Sequence, residues 1–104
     1  MYKTFDDLEF IKVEAVEGIE EEEVNMFYKG VRSKIQFDNG YGASVVSHNY
    51  SYGGKEGLYE LAVLDGNGNL HYDNPVANGD VIGYLKQSDV TELMKSIQDL
   101  PHRQ

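Results

Sequence analysis

The chain has 104 residues, with 18 Asp and Glu against 9 Lys and Arg, and neither Cys nor Trp. This length fits one domain, and the lack of Cys excludes disulfides, thiolate catalysis, iron–sulfur clusters and Cys-type zinc sites. A net charge of −9 disfavours direct binding to nucleic acid or to an anionic membrane, because both partners are held chiefly through Lys and Arg.

The acidity is uneven. Residues 1–30 hold nine acids and three bases, and residues 31–104 hold nine acids and six bases. The first 30 residues therefore read as an acidic N-terminal extension of the same domain as 31–104. The longest apolar run, Leu61 to Leu64, is far below the ~20 residues that span a bilayer. The opening MYKTFDDLEF has no basic-then-apolar leader pattern, so the expected location is the cytoplasm.

In chain order, residues 10–16 alternate, with Ile11, Val13 and Ala15 on one face and Lys12 and Glu14 on the other. Period two predicts a strand. Val24, Phe27, Tyr28 and Val31 then follow helical spacing, and Glu20, Glu21, Glu22 and Glu23 fill the first turn, where the positive helix end favours carboxylates. Residues 31–37 alternate again. The Asn39-Gly40 pair that follows predicts a type I′ hairpin turn, which needs positive φ at both central residues. The return strand is expected over 41–50. A glycine-rich loop at 52–57 leads to a strand over 58–64, with Tyr59, Leu61 and Val63 inward and Glu60 in solvent. Asp65 to Asn69 is a turn, and 70–73 and 81–85 are short strand candidates. The final helix is capped by Ser88 and carries Val90, Leu93, Met94, Ile97 and Leu100 as one apolar stripe. Pro101 stops it.

The motifs that could carry chemistry are weak. Asp65-Gly-Asn67-Gly-Asn69 resembles the start of a calcium loop, but the positions that need Gly and Glu hold Leu70 and Val76. The glycine clusters contain neither dinucleotide nor P-loop spacing. His48, His71 and His102 lack metal-ligand spacing, and no nucleophile elbow surrounds Ser44, Ser47 and His48. No enzyme activity, cofactor or metal is expected.

The tyrosines stand out. Six of eight, Tyr41, Tyr50, Tyr52, Tyr59, Tyr72 and Tyr84, fall in the sheet region. Tyr suits strands, and it also suits interfaces, where a large ring with a polar tip freezes few rotors. Tyr50 and Tyr52 beside the glycine-rich loop are the candidate partner-binding tyrosines. Glu20 to Glu23 are candidate partner-binding carboxylates. A solvated helix start is the bland alternative for that run, and imitation of a nucleic-acid backbone is a third.

The segment FDNGYGASVVSHNYSYGGKEGLYELAVLDGNGNLHYD, followed by DVIGYL and SDVTELMKSIQDLP, resembles small uncharacterised proteins encoded by tailed bacteriophages. The resemblance spans about residues 33–101 and brings no catalytic residues. It implies a setting, the host cytoplasm, in which small acidic proteins bind host proteins to redirect or block them, defence systems included.

The expected fold is α+β. An antiparallel meander of four to five strands is packed by a C-terminal amphipathic helix, with an acidic N-terminal strand-helix segment. The expected function is a non-enzymatic phage accessory protein that binds a host protein with a basic surface, possible inhibition of host defence included. The alternatives are a self-associating accessory protein or a small hydrolase or nucleotide-binding enzyme. Burial of the C-terminal stripe is the main test of this layout. Leu93→Asp is expected to abolish the cooperative thermal transition, and a melt near wild type would show that the helix does not dock on the sheet.

Overall fold

The computed structural model describes residues 1–12, 30–71, 73–77 and 81–102. Five strands form one antiparallel sheet in sequence order: β1 (Ile11–Lys12), β2 (Val31–Gln36), β3 (Gly42–Ser47), β4 (Tyr59–Leu64) and β5 (Ile82–Leu85). One α-helix, α1 (Gln87–Gln98), follows. The expected α+β meander with a C-terminal helix is therefore the observed architecture. The expected helix after residue 18, and the continuation of β1 past Lys12, lie outside the described residues.

Register explains the core. Ile35 pairs with Ala43 and Ala43 with Val63, while Ser33 pairs with Val45 and Val45 with Leu61. Residues directly opposite share a face, so these side chains point to one side of the sheet. There they meet Val90, Met94 and Ile97 of α1, all at 0% exposure, with Leu93 and Leu100 partly buried beside them. Leu61 and Val63 are buried as expected, and Tyr59 is half-buried. Alternation fails for Ala62 and Leu64, which face the other way and are also buried. The Gln36 side chain folds over Gly42, the cross-strand neighbour of Leu64, and its amide donates to the Asp65 carbonyl at 3.0 Å.

The first ten residues, which carry no pattern of their own, act as a strap. Leu8 is buried. Phe5, Phe10 and Tyr59 form a cluster with ring centroids 5.1–5.7 Å apart. The Phe5 amide donates to Thr91 Oγ1 of α1, and Lys3 and Gln98 exchange two hydrogen bonds.

Three local expectations need correction. The hairpin at Asn39-Gly40 is not type I′. Gly40 donates to Phe37 O, the Phe37 amide donates to Tyr41 O, and only Gly40 has positive φ, at 84°. This is a three-residue turn with glycine in the left-handed position. The reason is the Asn39 side chain. Its Oδ1 accepts from the Tyr41 amide, and its Nδ2 lies 2.8, 3.3 and 3.2 Å from the carbonyls of Ile97, Gln98 and Leu100. Asn39 thus caps the C-terminus of α1 from across the molecule. Second, Ser88 is not the helix cap. The helix starts at Gln87, and the Asp89 carboxylate accepts the Lys86 amide at 2.9 Å. Third, among the described residues of 70–73 the pairing is one bridge, Leu64 to Leu70. The strand expected over 81–85 is present as β5, and the Asp65–Asn69 segment is a turn closed by Gly68 to Asp65 O and Asp65 to Asn69 O.

The Asn39 clamp sets a sign. The last helix carbonyls are partly negative, so an amide donor there is favourable and a carboxylate is not. Asn39→Ala is expected to cost about 1–3 kcal/mol by leaving partly buried carbonyls unpaired. Asn39→Asp is expected to cost more at neutral pH, with the excess vanishing below about pH 4 as the new carboxyl takes its proton. Urea midpoints of the two variants across pH check this. Equal midpoints at pH 7 would remove the electrostatic part of the clamp.

Candidate protein-binding surface

β3 stops at Ser47 because the next four residues turn on themselves. The His48 amide donates to Ser51 Oγ, the Ser51 hydroxyl donates back to His48 O, and the Ser51 amide donates to the same carbonyl. A short 3₁₀ turn, Gly54–Glu56, follows. The Ser47 hydroxyl donates to Leu58 O and closes the loop at its base.

The loop is then fastened to the far edge of the sheet. Tyr52 donates its amide to Glu60 Oε1 at 3.2 Å and accepts the Tyr84 amide at 3.0 Å. The second bond lands on an irregularity. Tyr59 pairs with Leu85 and Leu61 with Ile82, so Gly83 and Tyr84 together face Glu60 alone. That is a bulge. Gly83 is required here, since a Cβ would sit 2.2 Å from Tyr52 Cβ. Tyr84 adopts φ +57°, alone among the described non-glycine residues. A bulky side chain in the left-handed region is rare and costs about 1–2 kcal/mol.

The result is a surface bearing three tyrosine side chains with most of their area in water: Tyr50 at 59%, Tyr52 at 57% and Tyr84 at 60% exposure. Tyr52 and Tyr84 touch through their main chains. The two tyrosines singled out by sequence are thus exposed on one loop. Tyr84 was missed as a site residue, because nothing in Gly83-Tyr84 announces a left-handed tyrosine. Tyr41 packs half-buried on the His71 ring and Tyr59 on Phe5 and Phe10, so both are structural. Glu20 to Glu23 lie outside the described residues.

The serine hydroxyls near His48 are engaged within the fold. The Ser47 and Ser51 hydroxyls donate to main-chain carbonyls. Among the described residues no group of three or more His, Asp or Glu could hold a metal ion. A cleft of about 390 Å³ at the opposite end of the sheet is walled by Lys3, Gln98 and Asn39, the residues that tie the strap and the hairpin to the helix end. It is a seam of the fold.

His48 Nδ1 accepts the Tyr50 amide at 3.1 Å, which requires an unprotonated Nδ1. Burial pushes the His48 pKa below its ordinary 6.5, opposed in part by the Glu60 carboxylate.

The sheet, its helix and this loop surface define a small five-stranded α+β meander domain. No protein-family model matches the chain, and comparison with curated proteins and with solved structures gives no match.

The depressed His48 pKa gives a direction to pH dependence. The unfolded chain takes up the proton near pH 6.5 and the folded chain only at lower pH. The stabilisation is therefore complete above that value and is lost as pH falls through the lowered folded pKa. Between about pH 7 and pH 5, Tm is expected to fall further in wild type than in His48→Gln, with the protection factor of the Tyr50 amide, corrected for its intrinsic pH dependence, falling in wild type. Parallel pH–Tm curves for the two proteins would refute this role.

Proposed function

We propose that this protein is a non-enzymatic binding protein that recognises a protein partner through Tyr50, Tyr52 and Tyr84. The observation that carries the reading is Tyr84. It holds a left-handed backbone at φ +57° while 60% of its surface stays in water. The bulge uses that backbone to bring the Tyr84 amide to the Tyr52 carbonyl, but it has no need of an exposed aromatic side chain there, and such strain concentrates at functional positions. Beside it, Tyr52 and Tyr50 add rigid, amphipathic area of the kind that dominates interface energetics.

The partner is a host protein and the setting the host cytoplasm, as the likeness of residues 33–101 to tailed-phage proteins implies. The charge of −9 favours a partner with a basic surface, since opposite potentials speed encounter. In this reading the protein is an accessory factor that occupies a surface of its target, and a component of a host defence system is the finer form of that target.

Affinity capture from host lysate tests the reading. Wild type is expected to retain a discrete partner that high salt weakens, and Tyr50→Ala/Tyr52→Ala is expected to lose it with an unchanged melt. Tyr84→Gly separates strain from contact: it is expected to raise stability by about 1 kcal/mol and to weaken capture. Undiminished capture by both variants would end the proposal.

A further inference from the structure

The sheet has a second face. The α-helix among the described residues lies on the side of Val45, Leu61 and Val63, and the opposite side carries Arg32 and Lys34 of β2, Ser44 and Val46 of β3, and Glu60 and Ala62 of β4. Arg32 and Lys34 are exposed, and among the described residues neither forms an ion pair. In a chain with twice as many acids as bases, this places two uncompensated cations on one face.

Register orders that face. Ile11 pairs with Arg32, Arg32 with Val46, and Val46 with Glu60, while Glu60 faces the β5 bulge. One row therefore reads exposed Ile11, Arg32, Val46, Glu60, bulge. Adjacent strands are ~4.8 Å apart, so Arg32 and Glu60 stand ~10 Å from each other across Val46, and among the described residues they form no ion pair. The row is antisymmetric about Val46: positive on one side, negative on the other, and apolar side chains at the centre and at the Ile11 end.

We propose that the occupant of this face is a second copy of the same chain, packed face to face about a two-fold axis that runs along β3. That axis sets Arg32 of each copy over Glu60 of the partner and Val46 over the partner's Val46. It brings Lys34 over the partner's Ala62 and Ile11 over the partner's β5 bulge. The other in-plane axis, along the row, would set Arg32 on Arg32 and Glu60 on Glu60, and opposed like charges are destabilising. Charge thus selects one of the two isologous arrangements. Aligned sheets pack ~10 Å apart at about −30°, a gap that Arg and Glu side chains bridge together. The rotation displaces the ends of the row more than its central pairs.

Area sets the strength. The described strands, two to six residues long at ~3.4 Å per residue and ~4.8 Å apart, give on the order of 400 Å² per copy. Stable interfaces bury about 800 Å² per partner. The dimer is therefore weak and concentration-dependent. It shares Glu60 with the tyrosine loop, whose Tyr52 amide that carboxylate accepts, and Arg32→Glu, which touches no loop residue, separates the two readings.

Sedimentation velocity across a concentration series, at physiological ionic strength, tests it. Wild type is expected to shift from one chain to two as concentration rises. Arg32→Glu and Glu60→Arg are each expected to weaken association at least roughly tenfold, and the double variant R32E/E60R to restore it, because the swapped charges again meet across the axis. Val46→Asp, at a half-exposed position, is expected to stay monomeric with a cooperative melt. The Arg32 side chain is exposed and forms no ion pair among the described residues, so R32E tests contact with little effect on the fold. A wild type that remains one chain at the highest concentration would overturn the proposal. So would single variants that associate like wild type, or a folded double variant that stays as weak as the singles.

Discussion

Val90, Met94 and Ile97 reach complete burial only because β3 and β4 turn Val45, Leu61 and Val63 toward them. Burying each such side chain contributes about 1.5–3 kcal/mol, so three on one helix face match much of the 5–15 kcal/mol that holds an average domain together. The other connections serve this seam. Asn39 closes the far end of the helix, Asp89 its start, and the strap from Lys3 to Phe10 runs along it. The meander itself is local, each described strand pairing with its neighbour in sequence. Such topologies fold quickly because little chain must be closed before contacts form.

Among the described residues one α-helix covers one face of the sheet, and side chains of the sheet itself stand on the opposite face. The chain manages it unevenly. At the Leu64 end, Gln36 lies across Gly42 and bonds to Asp65, and the apolar surface there is closed. At the Val46 end no described side chain makes an equivalent reach, and charges of both signs stand there. Charged residues on an exposed sheet suppress indiscriminate stacking. In the proposed dimer, their opposite order on either side of Val46 would favour one register over the others.

Much of the layout was legible because period two and helical spacing are set by burial. The strands at 31–36, 42–47, 59–64 and 82–85 and the helix stripe follow from them. Several features were hidden by long-range partners. Asn39-Gly40 carries a local preference for a tight turn, and a helix end almost 60 residues later in the chain decides the geometry instead. Ser88 is a better cap than Lys86 by composition, yet Asp89 reaches back to the preceding amide. The strap has no periodicity, since Phe5 and Phe10 pack on each other and on Tyr59, a residue almost 50 positions away in the chain. At the candidate surface Tyr50 and Tyr52 were legible as aromatics beside glycines. Tyr84 was not, because a left-handed tyrosine exists only through the Tyr52 carbonyl and the bulge opposite Glu60.

The two ends of the sheet divide labour along these lines. At the Asn39 end, turn, strap and helix terminus lock one another, and polar groups there are spent on structure. At the Tyr84 end, a left-handed residue and a glycine-bearing loop hold aromatic rings in water. Strain of about 1–2 kcal/mol would endanger a small domain if its termini frayed as well. It is tolerable when the opposite end is over-determined, since strain persists only where the surroundings fix it. The clamp at Asn39 and the exposure of Tyr84 are therefore linked. Loosening the clamp spends the margin of stability that lets the bulge keep its unfavourable backbone, so that substitutions near Asn39 and substitutions at Tyr84 draw on the same reserve although the sheet lies between them.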